Sequence, residues 1–187
     1  MQEFAVGTPH AVTFADGGPK GAMMMIRNIP NHSGSNRREP GVILVAEDDA
    51  NEMLLLRYAF EEAGVISPIM DVRDGREAVN YLTGQPPYGN RSLYPFPSLL
   101  VVDLKMPVMT GFEVLAWLQN QADLKKLPVV VLSSSNADRD MAQARALGAR
   151  DYLVKPSLLD DLIKLAGNLH ARWLKGAALT TTDWPCR

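Results

Sequence analysis

The sequence predicts an α/β fold in which five parallel strands form one central sheet with helices on both of its faces. Strand-like apolar runs and helix-like amphipathic segments alternate five times between residues 41 and 174, and this alternation is typical of parallel sheets. Several runs are apolar throughout, as expected for strands that are covered on both faces. Polar residues follow most of the runs directly, at the edge where such sheets bind ligands.

The first two strand–helix units include the predicted edge strand of the sheet. The run VILVA at 42–46 predicts a buried strand, and segment 51–64 has apolar residues at helical spacing. The second strand, at 65–72, contains Pro68. Because proline cannot donate a hydrogen bond to a neighbouring strand, we expect this strand at an edge. A short helix follows at 76–84.

The third unit follows a loop that is longer than most connections. Residues 85–97 contain four prolines and three aromatic residues, which predicts irregular structure. These aromatic residues either pack over the neighbouring strands or dock a partner. SLLVVD at 98–103 then predicts a strand that ends on Asp103, and 111–121 predicts the third helix.

The last two units complete the alternation. Segment 127–135 predicts a fourth strand that ends in three serines, and 136–148 predicts a helix with alanines on its inner face. DYLV at 151–154 predicts the fifth strand, and 157–174 predicts the fifth helix from its stripe of leucines.

The segments outside these units do not look like folded domains. Residues 1–40 are rich in glycine and proline and have no period, so we expect an N-terminal arm that is mostly disordered. The folded domain is expected at 41–171. The remaining tail, 172–187, is too short to fold alone, so no output domain is expected.

Composition and charge exclude several classes of function. A net charge of -2 gives no reason to expect nucleic-acid binding. No apolar run approaches the ~20 residues that span a bilayer. A single cysteine, Cys186, cannot form an internal disulfide and fits a reducing cytosol. We therefore expect a cytoplasmic protein that neither binds nucleic acid directly nor inserts into a membrane.

Five polar side chains are expected at the carboxyl edge of the sheet. They are Glu47 and Asp48 after the first strand, Asp103 after the third, Ser133 in the fourth and Lys155 after the fifth. Three neighbouring carboxylates repel each other unless a cation lies among them, and oxygen ligands suit Mg2+ above all. A hydroxyl and an ammonium can take phosphoryl oxygens. Asp103, on the central strand, is then the nucleophile that can form an aspartyl phosphate.

Other acids nearby have a simpler explanation. Asp49 and Glu52 come at the start of the first predicted helix, where negative charge is favourable.

Four segments together resemble the receiver domains of two-component response regulators. They are VILVAEDD, LLVVDLKMPVMTGFEVL, LPVVVLSSS and ARDYLVKP, in this order over about residues 41–171. The NEMLLLRYAF helix and the long loop are most similar to single-domain regulators that partner phytochrome-type and other sensor histidine kinases. The resemblance implies a flavodoxin-like, doubly wound (βα)5 fold. It also implies that Asp103 accepts a phosphoryl group from a kinase or phosphotransfer protein, with Mg2+ present.

The resemblance also implies how a metal would be held. Glu47 and Asp48 match the acidic pair of the family, in which Asp48 would be the direct ligand. Asp103 and the backbone carbonyl of Lys105 would be further ligands.

The same resemblance implies a switch. Ser133 matches the hydroxyl that moves toward the phosphate, and Tyr152 matches the aromatic residue whose rotamer follows, although Tyr152 alone would be read as a core residue. Lys155 matches the phosphate-binding lysine, and its bond to Pro156 would be cis.

The main interpretation is a binding switch that is driven by phosphorylation and is not otherwise an enzyme. Phosphate on Asp103 would change the face built by residues 136–170, which a downstream protein or a second copy of the chain would read. The alternative is a Mg2+-dependent phosphohydrolase of the haloacid-dehalogenase type. Its D-x-D-x-T motif requires an aspartate where Lys105 stands. A scaffold with a silent site is a third interpretation, against which the complete set of five groups argues.

Overall fold

The computed structural model describes residues 41–174. The arm predicted at 1–40 and nearly all of the tail predicted at 172–187 lie outside the described residues. Five strands and five α-helices alternate in the described part, with a 3₁₀ turn at Ala122–Leu124. The strands are β1 (Ile43–Ala46), β2 (Ile69–Val72), β3 (Leu99–Val102), β4 (Val129–Ser133) and β5 (Asp151–Val154). The helices are α1 (Ala50–Glu62), α2 (Gly75–Thr83), α3 (Gly111–Gln119), α4 (Asp138–Ala146) and α5 (Leu159–Trp173).

The strands form one parallel sheet in the order β2-β1-β3-β4-β5. This is the flavodoxin-like arrangement that the sequence predicts, with β2 at an edge and β3 in the centre. Ala46 pairs with Val102, and Val102 pairs with Val131. Because the central strands are in this register, the residues that follow β1 and β3 leave the sheet side by side.

Alternate residues of each strand face two separate hydrophobic cores. Leu44, Val102 and Val131 belong to the core that α2, α3 and α4 cover. Ile43 and Val101 belong to the core on the opposite face, which α1 and α5 cover. The prediction of helices on both faces is therefore confirmed. No helix within residues 41–174 combines the length and hydropathy needed to cross a membrane.

Short polar residues fix where the first three helices begin. The Asp49 carboxylate accepts hydrogen bonds from backbone N–H groups at the start of α1, and Asp74 does the same for α2. Thr110 and Glu113 form a reciprocal capping box at the start of α3. These caps hold the loops that leave the carboxyl ends of β1, β2 and β3.

The long loop at 85–97 packs against α2. The rings of Tyr81, Tyr88 and Tyr94 contact one another, with centroids 5.2–6.0 Å apart. The Arg91 guanidinium donates to the carbonyl oxygens of Tyr81, at 2.8 Å, and of the residue after it. The aromatic residues nearest α2 thus serve packing, which is one of the two roles the sequence left open.

Candidate functional site

Three carboxylates meet at the carboxyl edge of the sheet, as the sequence predicts. Oxygens of Glu47, Asp48 and Asp103 all lie within 4.8 Å of one another. Glu47 and Asp103 are only 7% and 6% exposed, whereas Asp48 is exposed. The two buried acids directly follow the adjacent strands β1 and β3, and the exposed acid opens the loop to α1. The site is therefore buried on the side of the sheet and open on the side of Asp48.

The backbone around Asp103 is tightly constrained. Its N–H donates to the carbonyl of Ala46 at 3.0 Å, which continues the pairing of β3 with β1. Its Oδ2 accepts a hydrogen bond of 2.9 Å from the N–H of Lys105. A Cβ atom on Gly111 would lie 2.2 Å from the carbonyl oxygen of Asp103. Only glycine therefore allows the start of α3 to pass so close to the candidate acceptor.

The loop between Asp103 and α3 contains an unusual backbone conformation. Val108 has φ = 63°, and the N–H of Met109 donates to the carbonyl of Pro107 at 2.6 Å. This is a three-residue γ-turn whose central residue has a positive φ, a rare and strained conformation that is especially unfavourable for a β-branched side chain. The Val108 side chain is 79% exposed and is not held there by burial.

Lys155 reaches the carboxylates from the end of β5. Its Nζ lies 2.7 Å from Oε2 of Glu47 and 3.5 Å from Oδ1 of Asp103. It also contacts the carboxylate of Glu52 in the first turn of α1. The sequence predicted Lys155 here but gave Glu52 no place in the site. Nothing near Glu52 along the chain could have indicated this contact, because its partner comes 103 residues later.

Burial and charge act in opposite directions on these groups. Burial raises the pKa of Glu47, although Lys155 and the N–H of Asp49 oppose this effect. Burial alone would lower the pKa of Lys155, but hydrogen bonds to Glu47 and Glu52 and the charge of Asp103 outweigh it and raise that pKa. Lys155 therefore stays an ammonium ion and lies in contact with the carboxylates of Glu47, Glu52 and Asp103.

The side chains of Ser133 and Tyr152 both form hydrogen bonds with the backbone of Ser135. Ser133 ends β4 and is fully buried, and its Oγ accepts a long hydrogen bond of 3.4 Å from the N–H of Ser135. The Tyr152 hydroxyl donates to the carbonyl of Ser135 at 2.9 Å, and its ring packs in the core. In the described part of the chain, the side-chain hydrogen bonds of both residues run to the backbone of Ser135, and not to Glu47, Asp48 or Asp103.

The expectation of a cis bond between Lys155 and Pro156 is wrong. Within residues 41–174 the cis bond is Pro86–Pro87, and Lys155–Pro156 has the trans form that such bonds ordinarily prefer. The N–H of Lys155 donates to the carbonyl of Ser133 at 2.9 Å. Pairing with β4 therefore brings Lys155 to the edge of the sheet without a cis bond.

The donor set fits a divalent cation that prefers oxygen. Ligands of one Mg2+ lie roughly 4 Å apart or less, because each is ~2.1 Å from the ion. The three carboxylate oxygens are within 4.8 Å of one another, so a small side-chain adjustment would be enough. Two of the acids are buried together beside the Lys155 ammonium, and such a group of acids is stabilised by added positive charge.

Comparison with known proteins gives a consistent result. The family model for the response regulator receiver domain matches residues 43–166. Response regulator Rcp1 from Synechocystis is 34% identical over 140 residues, which cover 75% of this chain and 93% of Rcp1. The structure of its Mn2+-bound form matches with a TM-score of 0.66, at 33% identity over 75% of this chain and 99% of that one.

Two further structures are similar. Response regulator RPA3017, in red light signalling of R. palustris, has a TM-score of 0.70 and 30% identity, over 76% of this chain and 99% of that one. The phosphorylated cyanobacterial phytochrome response regulator RcpA has a TM-score of 0.68 and 32% identity, with the same coverage of 76% and 99%.

Proposed function

The chain belongs to the response regulator receiver family, and on that premise we propose that Asp103 accepts a phosphoryl group from a sensor histidine kinase or phosphotransfer protein. One observation carries the proposal. Asp103 is buried at the end of the central strand, with two other carboxylates within 4.8 Å and the Lys155 ammonium 3.5 Å away. The comparisons find response regulators and give no support to the haloacid-dehalogenase alternative.

Receiver domains bind a divalent metal, and we propose Mg2+ for this chain. Glu47, Asp48, Asp103 and the backbone carbonyl of Lys105 would hold it. When bound, such an ion neutralises the carboxylates and the phosphoryl oxygens that approach them. The related Rcp1 has been observed with Mn2+, which prefers the same oxygen ligands.

The chain's own residues would then perform the transfer. A carboxylate oxygen of Asp103 forms a bond to phosphorus as the bond from phosphorus to the donor's histidine nitrogen breaks. The Lys155 ammonium, already beside Asp103, pairs with the phosphoryl oxygens and stabilises their charge. The N–H of Lys105, which donates to Oδ2 of Asp103 at 2.9 Å, orients the carboxylate.

The phosphorylated site would act on partners through the edge of the sheet at β5 and the helices beside it, α4 and α5. Ser133 would turn toward the phosphoryl group, and the hydrogen bond from Tyr152 to Ser135 would rearrange with it. The face built by residues 136–170 would then bind a downstream protein or a second copy of the chain. In this proposal residues 41–171 are the working receiver domain, the protein acts in the cytoplasm, and its chemistry is limited to gaining and losing its own phosphate.

Intact-mass spectrometry tests the acceptor. With acetyl phosphate and Mg2+, we expect one base-labile phosphoryl group on the wild type and on Asp123→Asn, which changes an exposed acid in the 3₁₀ turn. Asp103→Asn should carry none, and EDTA should prevent the modification of the wild type. Phosphate that persists on Asp103→Asn would refute the assignment. Steady hydrolysis of many phosphoesters would instead favour a hydrolase.

A further inference from the structure

Glu52 is a partner of Lys155 that no part of the proposed transfer uses. It lies in the first turn of α1, and its backbone N–H donates to the capping carboxylate of Asp49 at 3.2 Å. Its side chain is 46% exposed, whereas that of Lys155 is only 16% exposed. The half-buried ammonium is therefore held from the solvent side by Glu52 and from the protein side by Glu47.

Unlike the other two carboxylate partners of Lys155, Glu52 lies outside the group of acids that fits a divalent cation. Glu47 and Asp103 both belong to the group of carboxylates that fits a divalent cation, and Glu52 does not. A lysine ammonium and a divalent cation compete for the same carboxylate oxygens, because each is stabilised by pairing with them. Glu52 gives Lys155 a carboxylate that the cation does not need.

We propose that Glu52 is a positioning residue: it pairs with Lys155 from outside the ligand set, so that Glu47, Asp48 and Asp103 are freer to bind a divalent cation. Without Glu52, the ammonium would depend on Glu47 and Asp103 alone, and a cation could bind only by separating them from their counter-ion. The inference depends on the proposed function, because it assumes that these three acids are the metal ligands.

Two simpler roles for Glu52 make different predictions. A solvated acid at a helix N-terminus stabilises the helix modestly, and its loss would change stability but not metal affinity. An acid that attracts the cation directly through space would act whether or not Lys155 is present. The proposed role alone requires Lys155.

Direct metal binding separates these cases. Free Mn2+ is measured by electron paramagnetic resonance during titration of the full chain at constant ionic strength, with Mg2+ as the competitor. Glu52→Gln should weaken binding of both ions about three- to tenfold, as expected for the loss of one favourable coupling. Glu52→Asp should recover part of the affinity. The matched control is Glu61→Gln, an equal charge change on the same helix, about 13 Å further along its axis, which should change affinity less than twofold.

The dependence on Lys155 is tested by a double-mutant cycle. In a Lys155→Met background, Glu52→Gln should have no further effect on Mn2+ affinity, and Lys155→Gln serves if the methionine variant does not fold. An undiminished effect in that background would show that Glu52 acts on the cation directly and would overturn the inference. Equal affinities for Glu52→Gln and Glu61→Gln would also overturn it. In both cases the proposed function would stand if the wild type is phosphorylated and Asp103→Asn is not. A wild type that neither binds Mn2+ nor becomes phosphorylated would refute the function itself.

Discussion

Replacing Val108 by asparagine should stabilise the folded protein. Val108 has φ = 63° in the loop that follows Asp103, a conformation in which Cβ crowds the backbone carbonyl. The side chain is 79% exposed, so it gains little from burial in return. Asparagine is several-fold enriched at positive φ, whereas a β-branched residue there is an outlier.

The expected gain in the free energy of unfolding follows from the positive φ and the exposure of Val108. A backbone conformation in a sparsely populated region costs roughly 1–3 kcal/mol, and asparagine, which is enriched at positive φ, should recover about 1 kcal/mol of it. Val108→Gly relieves the same contact completely, but it also raises the conformational entropy of the unfolded chain, which costs about 0.5–1 kcal/mol. The glycine variant should therefore gain less than the asparagine variant. Val108→Thr keeps the β-branch and adds a polar group, so it should gain almost nothing.

Urea unfolding followed by far-UV circular dichroism measures these differences. With a slope of about 1–3 kcal/mol per molar urea, Val108→Asn should raise the midpoint by roughly 0.3–1 M without a change in slope. The threonine variant controls for polarity on the surface. An asparagine variant no more stable than wild type, or a threonine variant that gains as much, would show that Val108 stores no backbone strain.

Two further predictions concern packing and pH. Gly111→Ala should destabilise the fold by about 1–3 kcal/mol, as overpacking does, because the new Cβ would lie 2.2 Å from the carbonyl oxygen of Asp103; urea unfolding measures the loss, and stability equal to wild type would contradict the contact. Burial raises the pKa of Tyr81 to about 12, with Arg91 opposing and Tyr94 adding to the effect. Because this pKa is higher in the folded protein than in the unfolded one, the stability that Tyr81 contributes is complete below pH ~10 and is lost as pH rises toward 12. Unfolding curves between these pH values should therefore be less pH-dependent for Tyr81→Phe, and an unchanged dependence would contradict the shift.

The elements that the sequence predicted best are those whose local signals are complete. The strand predicted at 98–103 is observed as Leu99–Val102, because its apolar run can only be buried. The strand predicted at 65–72 is observed only from Ile69 onward. Pro68 has no N–H, although its carbonyl accepts a hydrogen bond of 2.9 Å from the N–H of Ile43. The start of this strand thus depends on its pairing with β1, which the sequence does not specify.

The candidate site likewise contains residues that the sequence predicts and features that it does not. Glu47, Asp103 and Lys155 could be predicted because each follows an apolar strand, and parallel strands bring such residues to one edge. The positive φ at Val108 could not be predicted, because valine is among the residues least suited to it. The capping box that begins α3 was available as the pair Thr110 and Glu113, which is a recognisable sequence signal.

Glu52 shows why a charge at a helix start is ambiguous in sequence but not in structure. Its position explains it fully as a favourable charge near the helix N-terminus, so the sequence gives no reason to seek a second role. Among residues 41–174 it is the one carboxylate partner of Lys155 outside the group that fits a cation. A half-buried ammonium is costly to leave unpaired. When a cation or a phosphoryl group changes the pairing of Glu47 and Asp103, Glu52 can remain with Lys155 throughout, and its effect should therefore be larger in the loaded site than in the empty one.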